Sequence, residues 1–304
     1  MASKPKIIKH GTLDWDMVET TPVVFRGRLY RFEYVRENYH ANPGGKSYFR
    51  FVDVEKERAK QPGDPQDQYT PAFAEGYHLG SAFVGGDTMY AFGVPRWGQS
   101  SIQVFWSRDL RTWHDQTALD LPGWQIFNTS VCKADGRYVM AFEIGAPPEE
   151  TGVAFTMRFA ESPDLRTWKL TPRECVFSKD RYTACPALRY LDRQFYMIYL
   201  EARPGPSYVP HIVRSPDLVT WESSPLNPIM EFSPADQRVA LPAVRSRDDL
   251  GKQVNINNSD VDLCEWQGKT LIYYSWGNQQ GTEFLAEAEY AGPEAEFLRG
   301  WFPR

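Results

Sequence analysis

No stretch of the 304-residue chain comes near the roughly 18 consecutive apolar residues that a helical membrane span needs. No membrane association is therefore expected. Positive charge is not in excess either. Lys and Arg number 34 against 39 Asp and Glu, for a net charge of −5, so nothing tracks a phosphate backbone and nucleic acid is not an expected partner. The four cysteines, Cys132, Cys175, Cys185 and Cys264, form no Cys-x-x-Cys pair and no zinc pattern, and read as buried free thiols. Five histidines without a pair at ligand spacing leave no metal set and no expected cofactor. The N-terminal MASKPKIIKHG lacks the apolar core and small-residue cleavage site of a secretory leader. That suits a cytoplasmic protein, or a secreted or periplasmic one trimmed of its leader. Helical periodicity is nearly absent, with PEAEFLRGW near the end giving at most one helical turn. FVGGDTMY is a hairpin turn, and ANPGGKSY lacks the spacing of a phosphate loop.

What the chain does have is apolar and aromatic content in repeats. Apolar residues make up 42 %, enough for a full core, and aromatics 14 %, which suits strands and stacking on sugar rings. One motif occurs three times: SRDLRTW at Ser107–Trp113, SPDLRTW at Ser162–Trp168 and SPDLVTW at Ser215–Trp221. Its aspartates, Asp109, Asp164 and Asp217, are 55 and 53 residues apart, and a degraded copy places Asp53 another 56 upstream. Each copy follows a strand-like run. The Asp closes a turn through the backbone and the Trp packs beneath it, so the motif is structural.

A second element alternates with the first: an apolar strand, a turn with Gly or Asp, then a strand rich in Tyr and Phe. Copies begin at Thr21, Gly80, Ser130, Pro186 and Val261, and each predicts a β-hairpin. Five such units predict an all-β fold, a five-bladed β-propeller in one domain over 1–304. Its blades fall at about 14–60, 73–120, 124–172, 180–226 and 254–300. The apolar KPKII before the first blade is placed to supply the outer strand of the last. The polar stretch Ser233–Asn258 interrupts the rhythm.

The repeat and its Ser-x-Asp-Leu-x-x-Trp turns resemble the five-bladed propeller glycosidases, glycoside hydrolase family 43 and its relatives in families 32, 68, 117 and 130. The resemblance implies hydrolysis of arabinose, xylose or galactose linkages with inversion, and three carboxylates at the starts of inner strands. The family acids are not at their motif positions. Thr21-Pro22 stands where family 43 has Asp-Pro, GYHLGSAF opens the second blade without an Asp-Pro pair, and Ala184-Cys185-Pro186 stands where those families have Glu-Gly-Pro or Glu-Cys-Pro.

Propeller geometry names candidates without those motifs, because inner-strand starts and the loops after the second strands face one end of the channel. The starts offer Glu19, Thr20, His78, Asn128, Thr129, Thr183, Asn258, Ser259 and Asp260. The loops offer Glu33, Arg36, Asn38, His40, Arg96, Trp97, Glu143, Glu201, Arg203, Trp276, Asn278 and Gln279. Glycoside hydrolysis needs two carboxyl groups flanking the scissile bond. The candidates are Glu19 or Asp260 as base and Glu143 or Glu201 as acid. The acids sit at the ends of apolar strands, where burial raises a carboxyl pKa. The competing reading pairs each Glu with an arginine, such as Arg203 for Glu201. Trp97 and Trp276 are placed to stack on a sugar. Arg36, Arg96, Asn278 and Gln279 would bind hydroxyls or the charge of a uronic acid or sulfated sugar. Asn128 and His78 would touch substrate, or in the case of His78 be structural. A calcium or sodium ion at Asp260 and Asp262 is the one metal compatible with the segment. The expected function is hydrolysis of an oligosaccharide or glycoside, exo-acting. The alternatives are a non-catalytic carbohydrate-binding propeller and a polysaccharide lyase.

Overall fold

Two consecutive residues with positive φ end the first strand of most hairpins: Arg26-Gly27, Asp135-Gly136, Asp192-Arg193 and Gln267-Gly268. This is the backbone of a two-residue turn whose twist matches the flanking strands. The computed structural model describes residues 3–36, 46–61, 63–205, 207–241, 250–278 and 283–303. Its hairpins grow into five antiparallel sheets, here blades I to V, that form a five-bladed β-propeller. Blade I comprises Thr20–Phe25, Arg28–Arg36 and Ser47–Asp53. Blade II comprises His78–Gly85, Thr88–Val94, Ser101–Ser107 and His114–Asp120. Blade III is built on Gln125–Ala134, Arg137–Ala146 and Thr156–Ser162, and blade IV on Thr183–Leu191, Gln194–Arg203 and Ser207–Ser215. Blade V combines Asn257–Trp266, Lys269–Gly277 and Glu283–Tyr290 with the N-terminal strand Ile7–Trp15, which pairs antiparallel as the outermost strand. The inner strand of each blade touches that of the next, and the inner strand of blade V returns to that of blade I.

The repeated turn is built the same way three times. Ser107 Oγ accepts from the Leu110 amide at 2.9 Å, and Asp109 Oδ1 accepts from the amides of Arg111 and Thr112 at 2.9 and 2.8 Å. Ser162–Asp164 and Ser215–Asp217 repeat these bonds. The leucine in each turn is left-handed, with φ of 59, 67 and 65° at Leu110, Leu165 and Leu218. That costs a non-glycine residue about 1–2 kcal/mol, which the buried leucine and the amide bonds offset. Asp53 does not make this turn. It caps the short helix Val54–Ala59 by accepting from the Lys56 amide.

Each motif Trp packs against the blade before its own. Trp113 stacks on Phe73 with ring centres 3.8 Å apart, Trp168 meets Phe92 edge-on at 5.7 Å, and Trp221 stacks on Phe159 at 5.6 Å. At the seam of blades IV and V the chain end substitutes. The helix Glu294–Gly300 is seven residues long, not the single turn expected, and it delivers Trp301 and Phe302 into the apolar cluster there. Gly80 lets the first seam close, since a Cβ there would sit 2.6 and 2.7 Å from Phe32 and Phe49. We predict that Trp168→Ala destabilises the fold by about 3–5 kcal/mol, the usual cost of emptying a buried aromatic site. Urea unfolding monitored by circular dichroism measures this, and a loss under 1 kcal/mol would show that the seams do not depend on these indoles.

Candidate functional site

Left-handed backbone recurs where three inner strands begin: Leu79, Cys185 and Asp260 have φ of 55, 52 and 50°. Each sits at a register shift, between His78 and Ser81, Ala184 and Ala187, and Ser259 and Asp262. Such a bulge re-aims a side chain. Here the bulged residues join Glu19 and Asn128 in the lining of one cavity at the end of the axis, about 360 Å³ in volume. Blade III adds Glu143, also at a register shift, between Phe142 and Ile144. Arg36, Trp97, Tyr182 and Glu283 complete the polar and aromatic lining, and Phe127, Phe155 and Leu200 its apolar wall.

Glu143 is 3 % exposed. One of its oxygens, Oε2, accepts from the Cys185 amide at 3.0 Å and from Asn128 Nδ2 at 3.1 Å. Burial nonetheless pushes its carboxyl up to about 7, against the pull of those two bonds and with the nearby Asp260 adding to the rise. Asp260 is also raised by burial, opposed by hydrogen bonds from Cys185, Ser259 and Ser275, the last at 3.2 Å. Cys185 therefore bridges the two acids, with its amide on Glu143 and its thiol on Asp260. Its own pKa is driven well up by burial and by the surrounding carboxylates, Asp260 first, so it is a thiol and not a thiolate at neutral pH. Arg36 lies over the face of Trp97, 5.5 Å from the ring centre, and Trp97 is 48 % exposed at the cavity rim. Burial keeps the Tyr182 phenol protonated, available as a donor. Among the described residues no group of three His, Cys, Asp or Glu side chains is arranged to hold a metal.

No family model matches the chain, and no curated protein matches it in sequence. Solved structures do. A thermostable family 43 glycoside hydrolase aligns with a TM-score of 0.58 at 14 % identity, over 94 % of this chain and 92 % of its own. A structure from family 130, whose glycoside hydrolases target β-1,2-mannosidic linkages in Candida mannan, aligns at 0.59 and 13 % identity, over 90 % and 84 %. The family 32 β-fructofuranosidase of Bombyx mori aligns at 0.55 and 11 %, over 92 % of this chain and 61 % of its own. The chain has the fold of the five-bladed propeller glycoside hydrolases.

Of the residues singled out from the sequence, Glu19, Arg36, Trp97, Asn128, Glu143 and Asp260 meet in the cavity. The others go elsewhere. Glu201 is not in its lining. At Glu201 the pairing runs unbroken to Thr183, without the shift that turns Glu143 inward. Its carboxyl is held down to about 2 by the His211 hydrogen bond first, together with Tyr199 and Arg181. Trp276 cannot stack on a sugar. It is fully buried, stacks on Phe284 at 4.3 Å, and donates from Nε1 to Thr12 Oγ1 at 3.0 Å. Arg203 pairs with Glu231 at 2.8 Å, outside the cavity. His78 lies behind it, with Nδ1 2.6 Å from the Tyr34 hydroxyl, and burial and Arg36 lower its pKa. Arg96 is exposed and Asn278 half-buried, neither in the lining. Asp262 pairs with Arg189 at 2.6 Å. Gln279, Asn38 and His40 lie outside the described residues. Sequence reasoning passed over Cys185, Tyr182 and Glu283. The signal for Cys185 was its place in Ala184-Cys185-Pro186, at an inner-strand start where the resembling families have Glu-Cys-Pro.

Because Glu143 holds its proton more tightly folded than unfolded, its contribution is stabilising below its ordinary value of 4.5 and is lost as pH rises through about 7. At about 1.36 kcal/mol per pH unit, the displacement amounts to about 3 kcal/mol. We predict that Glu143→Gln gains on the wild type by about that much between pH 4.5 and 8. Urea titrations at both pH values measure the difference, and a gap that does not change with pH would mean the carboxyl is not buried as described.

Proposed function

We propose that this propeller hydrolyses the glycosidic bond of an oligosaccharide or glycoside, accepting the chain-end sugar in the axial cavity. The observation that carries the reading is the pair Glu143 and Asp260, two buried carboxyls linked through Cys185 in one cavity. A carboxyl with a pKa of about 7 keeps a proton to donate at neutral pH, which is what departure of a sugar oxygen requires. Glu143 is the general acid. Asp260, oriented by Ser275 and Cys185, is the base that takes a proton from water. Glu19 stands beside them in the lining and binds a sugar hydroxyl together with Asn128. Trp97 offers a partly exposed ring face at the rim for stacking on the sugar, and Tyr182 a hydroxyl donor. The volume of about 360 Å³ lies within the usual range for a small-ligand site, about 300–1,000 Å³. A cavity of this size, narrowing behind the acids to about 30 Å³, suits attack from the chain end. The propeller glycoside hydrolases that share the fold point to the same substrate class.

The test is a panel of aryl glycosides and plant and algal oligosaccharides, read as released aglycone or reducing ends. On a substrate that the wild type cleaves, Glu143→Gln should lower kcat by at least 100-fold, the scale of general acid catalysis. Glu201→Gln should lower stability but retain kcat within a few-fold. Binding of a sugar without turnover of any would make the protein a binding propeller instead. Full activity in Glu143→Gln would remove the assigned acid.

A further inference from the structure

Behind the two acids the axis does not end in packed core. A small cavity of about 30 Å³ forms a waist there, sharing Glu19, Asn128, Cys185 and Asp260 with the sugar cavity. On its other side it shares Thr21 and Asp262 with a third cavity of about 290 Å³. That cavity lies among the later residues of the inner strands, at the opposite end of the axis, and includes the exposed Lys133. The three cavities thus follow one another from face to face of the propeller.

The waist is polar. Thr20, Thr21, Ser81 and Thr129 supply hydroxyls, and those of Ser81 and Thr129 bond each other at 2.7 Å. Thr20 is 4 % exposed and its hydroxyl has no hydrogen-bond partner among the described residues. A buried hydroxyl without a partner is destabilising, whereas a water needs roughly 10–15 Å³ of such space and two or more polar neighbours. The waist meets both conditions for about one or two waters.

We propose that the propeller axis is a water conduit: the water consumed in the reaction enters from the far face and waits at the waist, held by Thr20, while the sugar fills the cavity mouth. The inference rests on the hydrolase reading above. A chain-end sugar that fills the cavity excludes solvent from the front, yet each turnover consumes one water. From the waist, water reaches Asp260 without passing the sugar. Its oxygen bonds the anomeric carbon as the glycosidic carbon–oxygen bond breaks. One water proton passes to Asp260, and the Glu143 proton goes to the departing oxygen, so the pair is reset by one proton exchange.

Two variants and a crystal structure test this. Thr20→Val keeps the shape but removes the hydroxyl, and Thr21→Leu narrows the passage on the far side of the waist. On a fluorogenic aryl glycoside that the wild type cleaves, each should lower kcat about 10-fold with KM within two-fold. Glycoside affinity by calorimetry should be unchanged. Unaltered kcat in both variants, with both folded, overturns the conduit. A wild-type crystal structure at high resolution should show an ordered water within hydrogen-bond distance of Thr20 Oγ1. A dry waist or a cation there overturns the site. If the wild type cleaves no glycoside but the waist water is present, the hydrolase reading falls and the water site stands. Turnover with a dry waist has the opposite meaning.

Discussion

The ring is closed by one antiparallel pairing, Ile7–Trp15 against Glu283–Tyr290, and the axial site depends on it. Glu19 follows that strand by four residues, whereas Asp260 begins the inner strand of the blade the strand completes. Without closure, the packing of the first blade against the fifth loses its main-chain support, and with it the common cavity of these two carboxyls. The closure is reinforced by a buried pair. Lys9 and Asp236 are 2.7 Å apart, and Asp236, fully buried, also accepts from Tyr274 at 2.8 Å and from Asn255 at 2.9 Å. Removing one member would leave a buried charge uncompensated, so the pair acts as a condition of closure more than as a net source of stability. Arg31 plays the same part on the blade I side, with its guanidinium shared between Glu33 and Glu57 and resting over the Tyr273 ring of blade V.

Closure allows the axis to hold groups that destabilise the fold. Leu79, Cys185 and Asp260 sit in left-handed backbone, and Glu143 and Asp260 are carboxyls held against their preference for water. These penalties collect at one end of the channel because a ring of five blades has equivalent positions there. The same place in successive blades carries Glu19, Leu79, Asn128, Cys185 and Asp260. The apolar clusters between the blades, with their tryptophans and phenylalanines, supply the compensating burial.

The fold was legible because the turn is chemically demanding. A Ser and an Asp two residues apart gather those amides, so the motif survives in blades II, III and IV and its period gives the length of a blade. The site was legible where chain position alone decides it, as for Glu19, which immediately precedes the inner strand of blade I. It was illegible where a bulge decides. MAFEI and IYLEA present a glutamate in the same apolar setting, yet the shift beside Glu143 turns it into the cavity and the regular pairing of Glu201 sends it toward Tyr199 and His211. Trp276 was a misreading of a signal that was present. Ile272, Tyr274 and Trp276 alternate on one face of their strand, and all three are core.

The charge balance of the cavity bears on which sugars fit. Its lining holds Glu19, Glu143, Asp260 and Glu283 against a single cation among the described residues, Arg36. Protonation of Glu143 at neutral pH removes one negative charge, and Arg36 offsets another. A uronic acid or sulfated sugar would add an anion beside Asp260, which already raises the pKa of Glu143. The guanidinium over Trp97 is therefore better understood as balancing the acids around it than as recognising an anionic substrate. With Arg203 paired to Glu231 and Arg96 outside the lining, Arg36 alone of the arginines expected at the mouth lines the cavity among the described residues. A neutral sugar, whose hydroxyls can donate to the carboxyl oxygens of the lining and whose ring face can lie on Trp97, adds no charge to the cavity.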